Sequence, residues 1–368
     1  MKILVVNNTI FYEHKGGLFL NKETGNFFVQ LASLGNSISA FQISQLKTES
    51  DDFANFNLKD RNVHIYEVKR RGSRIISFLK AFVIMQKAII DNDFIYIFYP
   101  GPICKVISLF CIFYRKPFGL YVRGEQKITT SISKFILKKA SKIFTISPKF
   151  TQDISALNQN VETIRPMIGF HESDLIKTRR IDFTERIELL YVGRLVYDKG
   201  LFELIDALEV LVNEGKNIFL NLVGGGTDLA LLMNIVKDKQ LGDRVKFVGM
   251  VSEKEKLIDM YKRCNIFVLP TYHEGFPRVL YEAMLMRMPI LTTFVGTINF
   301  LMEDGYNCIQ IMPRSMSSIV EGVQKLIQNT SLAQTIADNG VKTILKYLGD
   351  KKIGHAEQLN KNLSNTNI

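Results

Sequence analysis

The sequence predicts an α/β protein of two domains, each a parallel β-sheet with helices on both faces. Its 368 residues are long for one hydrophobic core, so two domains are expected. Short apolar runs typical of buried strands alternate with longer helical patterns along the whole chain. Between two such series lies a charged stretch without a clear period, residues 171–186. This stretch is predicted to join the domains.

The N-terminal half is predicted to form the first domain, residues 1–172. Its strand candidates are residues 2–8, 37–44, 63–68, 94–100, 118–124 and 142–147. Its helix candidates are residues 25–34, 73–90, 103–114 and 131–141. Because strands and helices alternate, the strands are expected to run parallel in a doubly wound sheet.

A linker, residues 173–185, is expected to lead into a second domain, residues 186–345. Its strand candidates are residues 187–194, 218–226, 245–251, 266–271 and 289–293, with helix candidates at 200–214, 228–239, 253–263, 278–286 and 316–328. Residues 346–368 are predicted to form a polar helix that crosses back to the first domain. The expected architecture is two Rossmann-like domains facing each other across a cleft, with ligands at the carboxyl ends of the strands.

Composition argues against several classes of protein. Hydrophobic content of 46% and charged content of 23% are typical of a globular chain. The four cysteines form no CxxC pair or Cys/His cluster, and the five histidines lack metal-ligand spacing, so no disulfide framework and no metal are expected. The first residues resemble a strand more than a signal peptide, and no apolar run is long enough to span a bilayer. We therefore expect a cytoplasmic protein.

Positive charge is concentrated in the first half. Residues 1–172 contain 23 Lys and Arg against 13 Asp and Glu, whereas the remainder contains 24 against 23. This asymmetry predicts an anionic partner, such as a membrane surface, a nucleic acid or a phosphorylated substrate. The densest cluster leads into an apolar helical pattern, so residues 68–90 are expected to touch an anionic membrane; no nucleic acid is expected. Ordinary solvated helix faces are the alternative for this cluster and for the lysines of 134–142.

The stretch VGRLVYDKG, residues 192–200, ends a predicted strand and leads into a helix. Its two cations, Arg194 and Lys199, lie at a strand-to-helix junction. Cationic side chains together with free helix N–H groups suit a diphosphate. An ordinary loop with solvated basic residues is the alternative.

Three glycines follow another predicted strand in LVGGGTDL, residues 222–229. Glycines allow a backbone to approach a ligand closely. However, the stretch lacks both the GxGxxG spacing and a GK[ST] end, so neither a dinucleotide fingerprint nor a P-loop is predicted.

The stretch HEGFPRVLYEAM, residues 273–284, contains two acids eight residues apart. Glu274 precedes a helix that Pro277 is suited to begin, and Glu282 lies inside that helix. A carboxylate accepts two hydrogen bonds and so suits a vicinal diol, while the helix N-terminus between the acids suits a phosphate. This order predicts a sugar-nucleotide site. A capped surface helix is the alternative.

The motifs GRLVYDKG, FVGMVSEKE, IFVLPTYHEGFPRVLYEAM and PILTT, in this order, resemble the retaining, metal-independent glycosyltransferases of the GT-B fold, the "glycosyl transferase group 1" type. The resemblance covers most of residues 186–310 and, more weakly, the N-terminal half. It implies that Arg194 and Lys199 bind the donor diphosphate, that Glu274 faces the transferred hexose and that Glu282 holds the ribose. Glu274, Arg194 and Lys199 are the implied catalytic residues.

The same resemblance implies further contacts with the donor. The helix-start contacts are Gly275, Phe276, Arg278, Val279 and Leu280, and the backbone at Val248 and Gly249 would flank the base. In the N-terminal half, the pair Gly16–Gly17 would approach the donor phosphates, with a flexible loop as the alternative.

One departure from the family pattern lies after the strand at 118–124. Many members have a histidine there, whereas this chain has Arg123-Gly124-Glu125. Arg123 or Glu125 would take its place, or the donor differs. Ser147 is a further candidate for contact with sugar or acceptor.

The predicted function is transfer of a hexose-type sugar, from a UDP-sugar or else a GDP-sugar, to a sugar or lipid-linked acceptor in cell-surface polysaccharide or lipopolysaccharide synthesis. Two alternatives stay open: another sugar-nucleotide enzyme, such as an epimerase, and a non-catalytic basic module that binds membrane or nucleic acid. The DxD triplet Asp91-Asn92-Asp93 precedes a strand, at the end of the sheet opposite the predicted site, and is interpreted as a cap or turn rather than a metal motif.

Overall fold

The computed structural model describes residues 1–8, 10–48, 54–59, 61–70, 74–123, 130–164, 167–275, 277–349 and 353–365. The chain divides into two compact units. The N-terminal unit comprises Met1–Met167 with Lys351–Ile368, and the C-terminal unit comprises Ile168–Asp350. Each is an α/β unit whose central strands run parallel, so the prediction of two Rossmann-like domains is confirmed.

The N-terminal unit is built on a sheet with the order β10-β9-β8-β7-β1-β4, to which further strands attach beyond β4. Its strands are β1 (Lys2–Val6), β2 (Phe11–His14), β3 (Gly17–Leu20), β4 (Ser37–Leu46), β5 (Phe56–Asn57), β6 (Val63–Lys69), β7 (Phe94–Tyr99), β8 (Phe118–Val122), β9 (Lys142–Thr145) and β10 (Val161–Thr163). Its first helices are α1 (Lys22–Ser33), α2 (Arg74–Asp91), α3 (Pro102–Phe113), α4 (Ser131–Lys139) and α5 (Pro148–Ser155).

The strands β2, β3, β5 and β10 were not among the predicted ones. The strands β2 and β3 form an antiparallel hairpin between β1 and α1, and β3 also pairs with β5. Each is only two to four residues long, so its hydrophobic pattern is too short to stand out in the sequence.

The two faces of the N-terminal sheet are covered by different helices. Alternate strand residues such as Leu4 and Ile97 share one apolar cluster with Met85 of α2 and Ile107 of α3. On the opposite face, Phe27 of α1 packs against the rings of Tyr96 and Phe98 of β7. The period-2 alternation of a strand therefore separates two cores.

The C-terminal unit has a parallel sheet with the order β13-β12-β11-β14-β15-β16. Its strands are β11 (Ile187–Val192), β12 (Ile218–Val223), β13 (Val245–Gly249), β14 (Ile266–Leu269), β15 (Ile290–Thr292) and β16 (Ile309–Gln310). Its helices are α6 (Leu201–Asn213), α7 (Leu229–Asp238), α8 (Lys254–Arg263), α9 (Arg278–Leu285), α10 (Met316–Gln328) and α11 (Thr330–Gly349). The chain winds outward from β11 to β13 and then returns to β14 on the other side. The switch point between β11 and β14 is where such sheets bind ligands.

The segment before β11 is held to the C-terminal unit by the partly buried guanidinium of Arg179. This group donates to the carbonyl oxygens of Tyr261 at 2.9 Å and Met286 at 3.1 Å, and to those of Lys262 and Cys264. These carbonyls lie at the C-terminal ends of α8 and α9, where no intrahelical partner exists. Burial lowers the pKa of Arg179 to about 10, so the group remains charged at neutral pH. Arg179 therefore caps two helices at once.

The last described helix, α12 (His355–Asn365), belongs to the N-terminal unit. Residues 346–349 instead close α11, so the polar segment predicted as one helix contributes to two. His355 of α12 lies 2.8 Å from the Tyr96 hydroxyl, Nε2 to Oη, and its ring packs on Tyr121. Among the described residues, no helix combines the length and the apolar character needed to cross a membrane.

Candidate functional site

The loops that follow β11 and β14 are joined to each other across the switch point of the C-terminal sheet. The Tyr272 N–H donates to the Asp198 carbonyl at 2.8 Å, and the Thr271 hydroxyl donates to the same oxygen at 3.1 Å. Gly200 has φ 68°, and a Cβ there would overlap the carbonyl oxygen of Pro270. Only glycine permits this approach. The fold thus brings together two motifs that lie more than 70 residues apart in sequence.

Lys199 and Glu274 form a largely buried ion pair in these joined loops. The Lys199 ammonium lies 2.7 Å from Glu274 Oε2, 3.2 Å from the His273 carbonyl oxygen and 3.4 Å from the Thr271 hydroxyl. The side chains are 10% and 19% exposed. An ammonium has three N–H donors, so these three partners occupy all of them. The sequence predicts both residues for the site but not their pairing.

Arg194, the other predicted cation, is exposed at the carboxyl end of β11. Its backbone is fixed because the buried Tyr191 hydroxyl donates to the Arg194 carbonyl oxygen at 2.8 Å. Burial, followed by the carboxylates of Glu274 and Asp198, raises the pKa of Tyr191, so its hydroxyl stays a donor. The guanidinium of Arg194 makes no hydrogen bond or ion pair with the part of the chain that the structure describes. It is therefore available to an anion.

The three glycines after β12 pack loops of the protein together. A Cβ at Gly224 would overlap the carbonyl oxygen of Gly193, and one at Gly226 would overlap that of Leu195. The Leu195 N–H also donates to the Gly225 carbonyl at 2.9 Å. Packing within the protein explains Gly224 and Gly226, because their close neighbour is the backbone after β11. They hold the loop of Arg194 in position.

Glu282, in α9, is oriented by a residue that sequence reasoning missed. The hydroxyl of the fully buried Tyr261 of α8 donates to Glu282 Oε2 at 2.8 Å. Burial, with the neighbouring Glu282 carboxylate, raises the pKa of Tyr261 well above its ordinary value. In sequence, Tyr261 is one more apolar position of an amphipathic helix, so no signal distinguishes it.

The start of α9 is fixed by contacts with the loop after β15. Gly296 has φ 59°, and a Cβ there would overlap the Glu274 carbonyl oxygen. The Thr297 hydroxyl donates to the Gly275 carbonyl at 2.5 Å. Pro277, which precedes the helix, supplies no capping side chain, so its first turn presents the N–H groups of Arg278 and Val279.

The remaining predicted contacts of this unit lie near these elements or outside the described residues. Leu280 is buried in α9, and its N–H donates to the Pro277 carbonyl at 3.0 Å, so that N–H is already used. Phe276 lies outside the described residues. Val248 and Gly249 end the edge strand β13, where the Gly249 carbonyl accepts from the Gly224 N–H at 2.8 Å.

In the N-terminal unit, Gly16 and Gly17 belong to the β2–β3 hairpin. Lys15 and Gly16 form its two-residue turn with φ of 44° and 79°, the positive values that such turns require. A Cβ at Gly17 would approach the Phe19 ring to 2.7 Å. The hairpin by itself explains both glycines. The alternative considered for this pair was a flexible loop, whereas the structure has a tight turn here. Their contact with donor phosphates stays a prediction.

Arg123 lies at the carboxyl end of β8, next to a residue that the sequence did not single out. Its guanidinium donates to the side-chain oxygen of Asn8, which follows β1, and lies 4.9 Å from the centre of the Phe98 ring. The Asn8 amide donates to the Pro100 carbonyl at 3.2 Å. Asn8 thus bridges the ends of β1, β7 and β8. In the sequence, Asn8 could have been noticed because Asn7 and Asn8 are two polar residues directly after a buried strand. Glu125 lies outside the described residues, as does Gly124.

Ser147 caps α5, since its hydroxyl oxygen accepts from the Phe150 N–H at 3.3 Å. It is buried, and a cap alone explains a serine before Pro148. Its contact with a sugar stays a prediction.

The DxD triplet lies at the amino end of β7, as expected of a cap or turn. Asp91 accepts from the Tyr66 hydroxyl at 2.9 Å, the Asn92 amide donates to the Ala88 carbonyl at 2.7 Å, and Asp93 accepts from the Lys2 N–H at 2.8 Å. All three side chains therefore have structural partners. Within the described ranges, no group of three or more His, Cys, Asp or Glu residues could hold a metal ion.

Comparison with known proteins identifies a family for the C-terminal unit. Residues 175–343 match the family model "Glycosyl transferases group 1". The chain is 28% identical over 264 residues to the capsular polysaccharide biosynthesis glycosyltransferase CapM of Staphylococcus aureus, covering 62% of this chain and 66% of CapM. It is 26% identical over 256 residues to the alpha-D-kanosaminyltransferase of Streptomyces kanamyceticus, covering 65% and 66%. The chain thus spans just under two thirds of the length of these curated relatives.

The fold is shared with solved structures. Alr3699/HepE of Anabaena in complex with UDP superposes with a TM-score of 0.73 at 18% identity, covering 100% of both chains. The complex of the same protein with UDP-glucose gives a TM-score of 0.71. At this identity, the likeness establishes the fold.

Proposed function

Residues 175–343 match the glycosyl transferases group 1, and we propose on this premise that the chain belongs to that family and transfers a hexose-type sugar from a nucleotide diphosphate sugar to a sugar or lipid-linked acceptor. The observation that carries the proposal is the Lys199–Glu274 pair, with the open cation Arg194 at the same switch point. The joined loops hold Lys199, a cation suited to the leaving group, beside Glu274, an acid suited to the sugar.

Arg194 and Lys199 would stabilise the leaving diphosphate. Negative charge grows on this group as the glycosyl bond breaks, and fixed positive groups stabilise it most at that stage. Arg194 is exposed and without a partner among the described residues, so it can form a bidentate pair with a phosphate at once. Lys199 would exchange one of its three present partners for a phosphate oxygen.

Glu274 would hold the transferred hexose. Its Oε2 is bonded to Lys199, whereas its Oε1 makes no hydrogen bond with the residues that the structure describes. That oxygen can accept a hydrogen bond from a sugar hydroxyl. A donor bridging Glu274 and the diphosphate site would have its anomeric carbon between them.

Glu282 would bind the ribose hydroxyls, with Tyr261 setting its orientation. A carboxylate has lone pairs for several donors, so it suits a vicinal diol, and the 2.8 Å bond from Tyr261 orients it. The N–H groups of Arg278 and Val279 at the start of α9 would contribute partial positive charge near the phosphates.

Transfer would proceed with retention and without a metal ion. The two cations and the amides of α9 would supply the positive charge at the diphosphate. The leaving phosphate itself would take the proton of the acceptor on the same face of the sugar, so no protein base is assigned.

The proposed donor is a UDP-sugar, with a GDP-sugar second. HepE, which shares the fold, has been solved with UDP and with UDP-glucose, and this supports the choice. The name of CapM supports a role in cell-surface polysaccharide synthesis. A lipid-linked acceptor would place the chain on the cytoplasmic side of a membrane, which the sequence predicts it to touch through residues 68–90.

Thermal unfolding with UDP, GDP, ADP and their sugars, each with EDTA and with magnesium, tests the donor site. A ligand at about 100 times its Kd stabilises the folded state by about 2.7 kcal/mol. We expect one nucleotide to raise the Tm selectively and equally in EDTA, and Arg194→Ala to abolish most of the shift. No shift with any nucleotide would overturn the proposal, and a shift lost in EDTA would overturn its metal-free form.

A further inference from the structure

Three helices of the N-terminal unit form one continuous layer. The helices α2, α3 and α4 are neighbours in this order, and their inner faces share one core cluster through Met85, Ile107 and Leu137. The rings of Phe82 on α2 and Phe110 on α3 pack edge to face with centroids 5.2 Å apart. The outer faces of the three helices therefore form a single surface.

This outer surface is apolar to a degree that the inner packing does not explain. In the described part of the chain, 21 large hydrophobic side chains are exposed, and nine of them lie on these three helices. Leu79, Val83 and Ile90 share one side of α2, while Leu109 and Phe113 share one side of α3. Phe113 is 76% exposed and Val83 is 66% exposed. A helix in water normally presents polar groups on its outer face.

The same surface is basic. Residues 74–91, 102–113 and 131–139 contain seven Lys and Arg and one acid, Asp91. Asp91 is exposed at the end of α2, and its Oδ2 accepts a hydrogen bond from the Tyr66 hydroxyl. Lys80, Lys87 and Lys134 are exposed among the apolar side chains. Exposed lysines and exposed aromatic and aliphatic groups thus alternate over one face.

We propose that the outer faces of α2, α3 and α4 dock on the anionic leaflet of a lipid bilayer. The apolar side chains would enter the boundary between headgroups and acyl chains, while the lysines would reach the lipid phosphates. The surface extends beyond the predicted segment 68–90, because α3 and α4 contribute Leu109, Phe113 and Phe135. It stands independently of sugar transfer.

Charge decides between a membrane and a second copy of the chain. A symmetric dimer through this face would set the exposed lysines against the same lysines of the second copy, and like charges across an interface oppose association; these lysines are Lys80, Lys87, Lys134, Lys138 and Lys139. An anionic leaflet complements the face, because its lipid phosphates attract the exposed lysines. The bilayer is therefore the occupant that the charges favour.

Sedimentation with phosphatidylcholine vesicles, with and without phosphatidylglycerol, tests the proposal on the full chain. We expect binding only with phosphatidylglycerol, weakened by added salt. The double variant Val83→Ser/Phe113→Ser should lower the fraction bound by about tenfold, because both side chains would leave the acyl boundary. Lys80→Gln/Lys87→Gln should weaken binding to the anionic vesicles by a similar factor.

The matched control is Leu231→Ser/Met233→Ser, since these side chains of α7 are 51% and 50% exposed in the other unit. It should bind vesicles like the wild type. Every variant should keep the wild-type Tm and the Tm shift with UDP, so failure of docking and failure of the nucleotide site are separated. Equal binding by Val83→Ser/Phe113→Ser, no binding to anionic vesicles, or a wild-type dimer that this variant dissociates would overturn the proposal.

Discussion

The central strands of the two units follow the same doubly wound order, but the residues at the switch point differ. In the N-terminal unit, the switch lies between β1 and β7, where the exposed Asn8 bridges strand ends and holds Arg123. In the C-terminal unit, it lies between β11 and β14, where a largely buried ion pair joins two loops. One topology therefore supports an open polar edge in one unit and a closed, charged centre in the other.

The difference shows that the strand order determines where a site can lie, whereas the residues of the loops determine which functional groups it contains. The loops of the C-terminal unit are pinned by Gly200, Gly224, Gly226 and Gly296, each with backbone against its Cβ position. Such packing holds Lys199 and Glu274 without relying on their attraction alone. A preorganised pair of this kind needs little rearrangement when charge develops nearby, since Lys199 exchanges only one of its three partners.

The largest effect is expected from removing the buried cation. Lys199→Ala would leave Glu274 without its ammonium and the diphosphate without one donor. Turnover should fall by about 100- to 1000-fold, the order seen when one donor to a developing anion is lost. Asn8→Ala, at the corresponding edge of the other unit, should lower kcat by less than about tenfold. Steady-state rates of nucleotide release measure both, and comparable losses would mean that the two switch points do not differ in role.

Arg179→Ala should cause the largest loss of stability. The buried carbonyl groups of Tyr261 and Met286 would lose their donor, and each such group costs about 1–3 kcal/mol. Hydrogen exchange should therefore speed up in α8 and α9 but not in β1 or β7. Exchange that rises equally in both units would contradict the role of Arg179 as a cap within the C-terminal unit.

Tyr261→Phe should weaken UDP binding by about fivefold, corresponding to about 1 kcal/mol for the hydrogen bond that orients Glu282. The loss should be smaller with 2′-deoxy-UDP, because that ligand offers Glu282 only the 3′-hydroxyl of the ribose. Titration calorimetry with both ligands measures this. Tyr347→Phe, which alters a partly buried tyrosine of the same unit, serves as control. If Tyr261→Phe weakened both ligands alike, the role would be structural only.

The smallest effect is expected at Ser147. As the cap of α5 it contributes about 1 kcal/mol of stability, so Ser147→Ala should lower the Tm slightly. Ser147→Asp keeps a capping oxygen and should restore the Tm. A fall in kcat for Ser147→Ala beyond the loss of folded protein would instead support the predicted contact with sugar or acceptor.

The sequence by itself determined the type and order of the long elements and the positions of the motifs. Hydrophobic periodicity is a local property, so β1, β11, α6 and α10 are recognisable within a short window. The motif residues Arg194 and Glu274 were found because each follows a buried strand. The charge excess of the first half was also visible, since it needs only a count.

Only the tertiary structure decided which groups meet. Lys199 and Glu274 are 75 residues apart, and Arg179 lies 82 residues from Tyr261, so strand order and loop packing create both contacts. The glycines after β12 contact the backbone after β11 for the same reason. Strand order depends on how whole layers bury their apolar faces, a long-range outcome that no local period encodes.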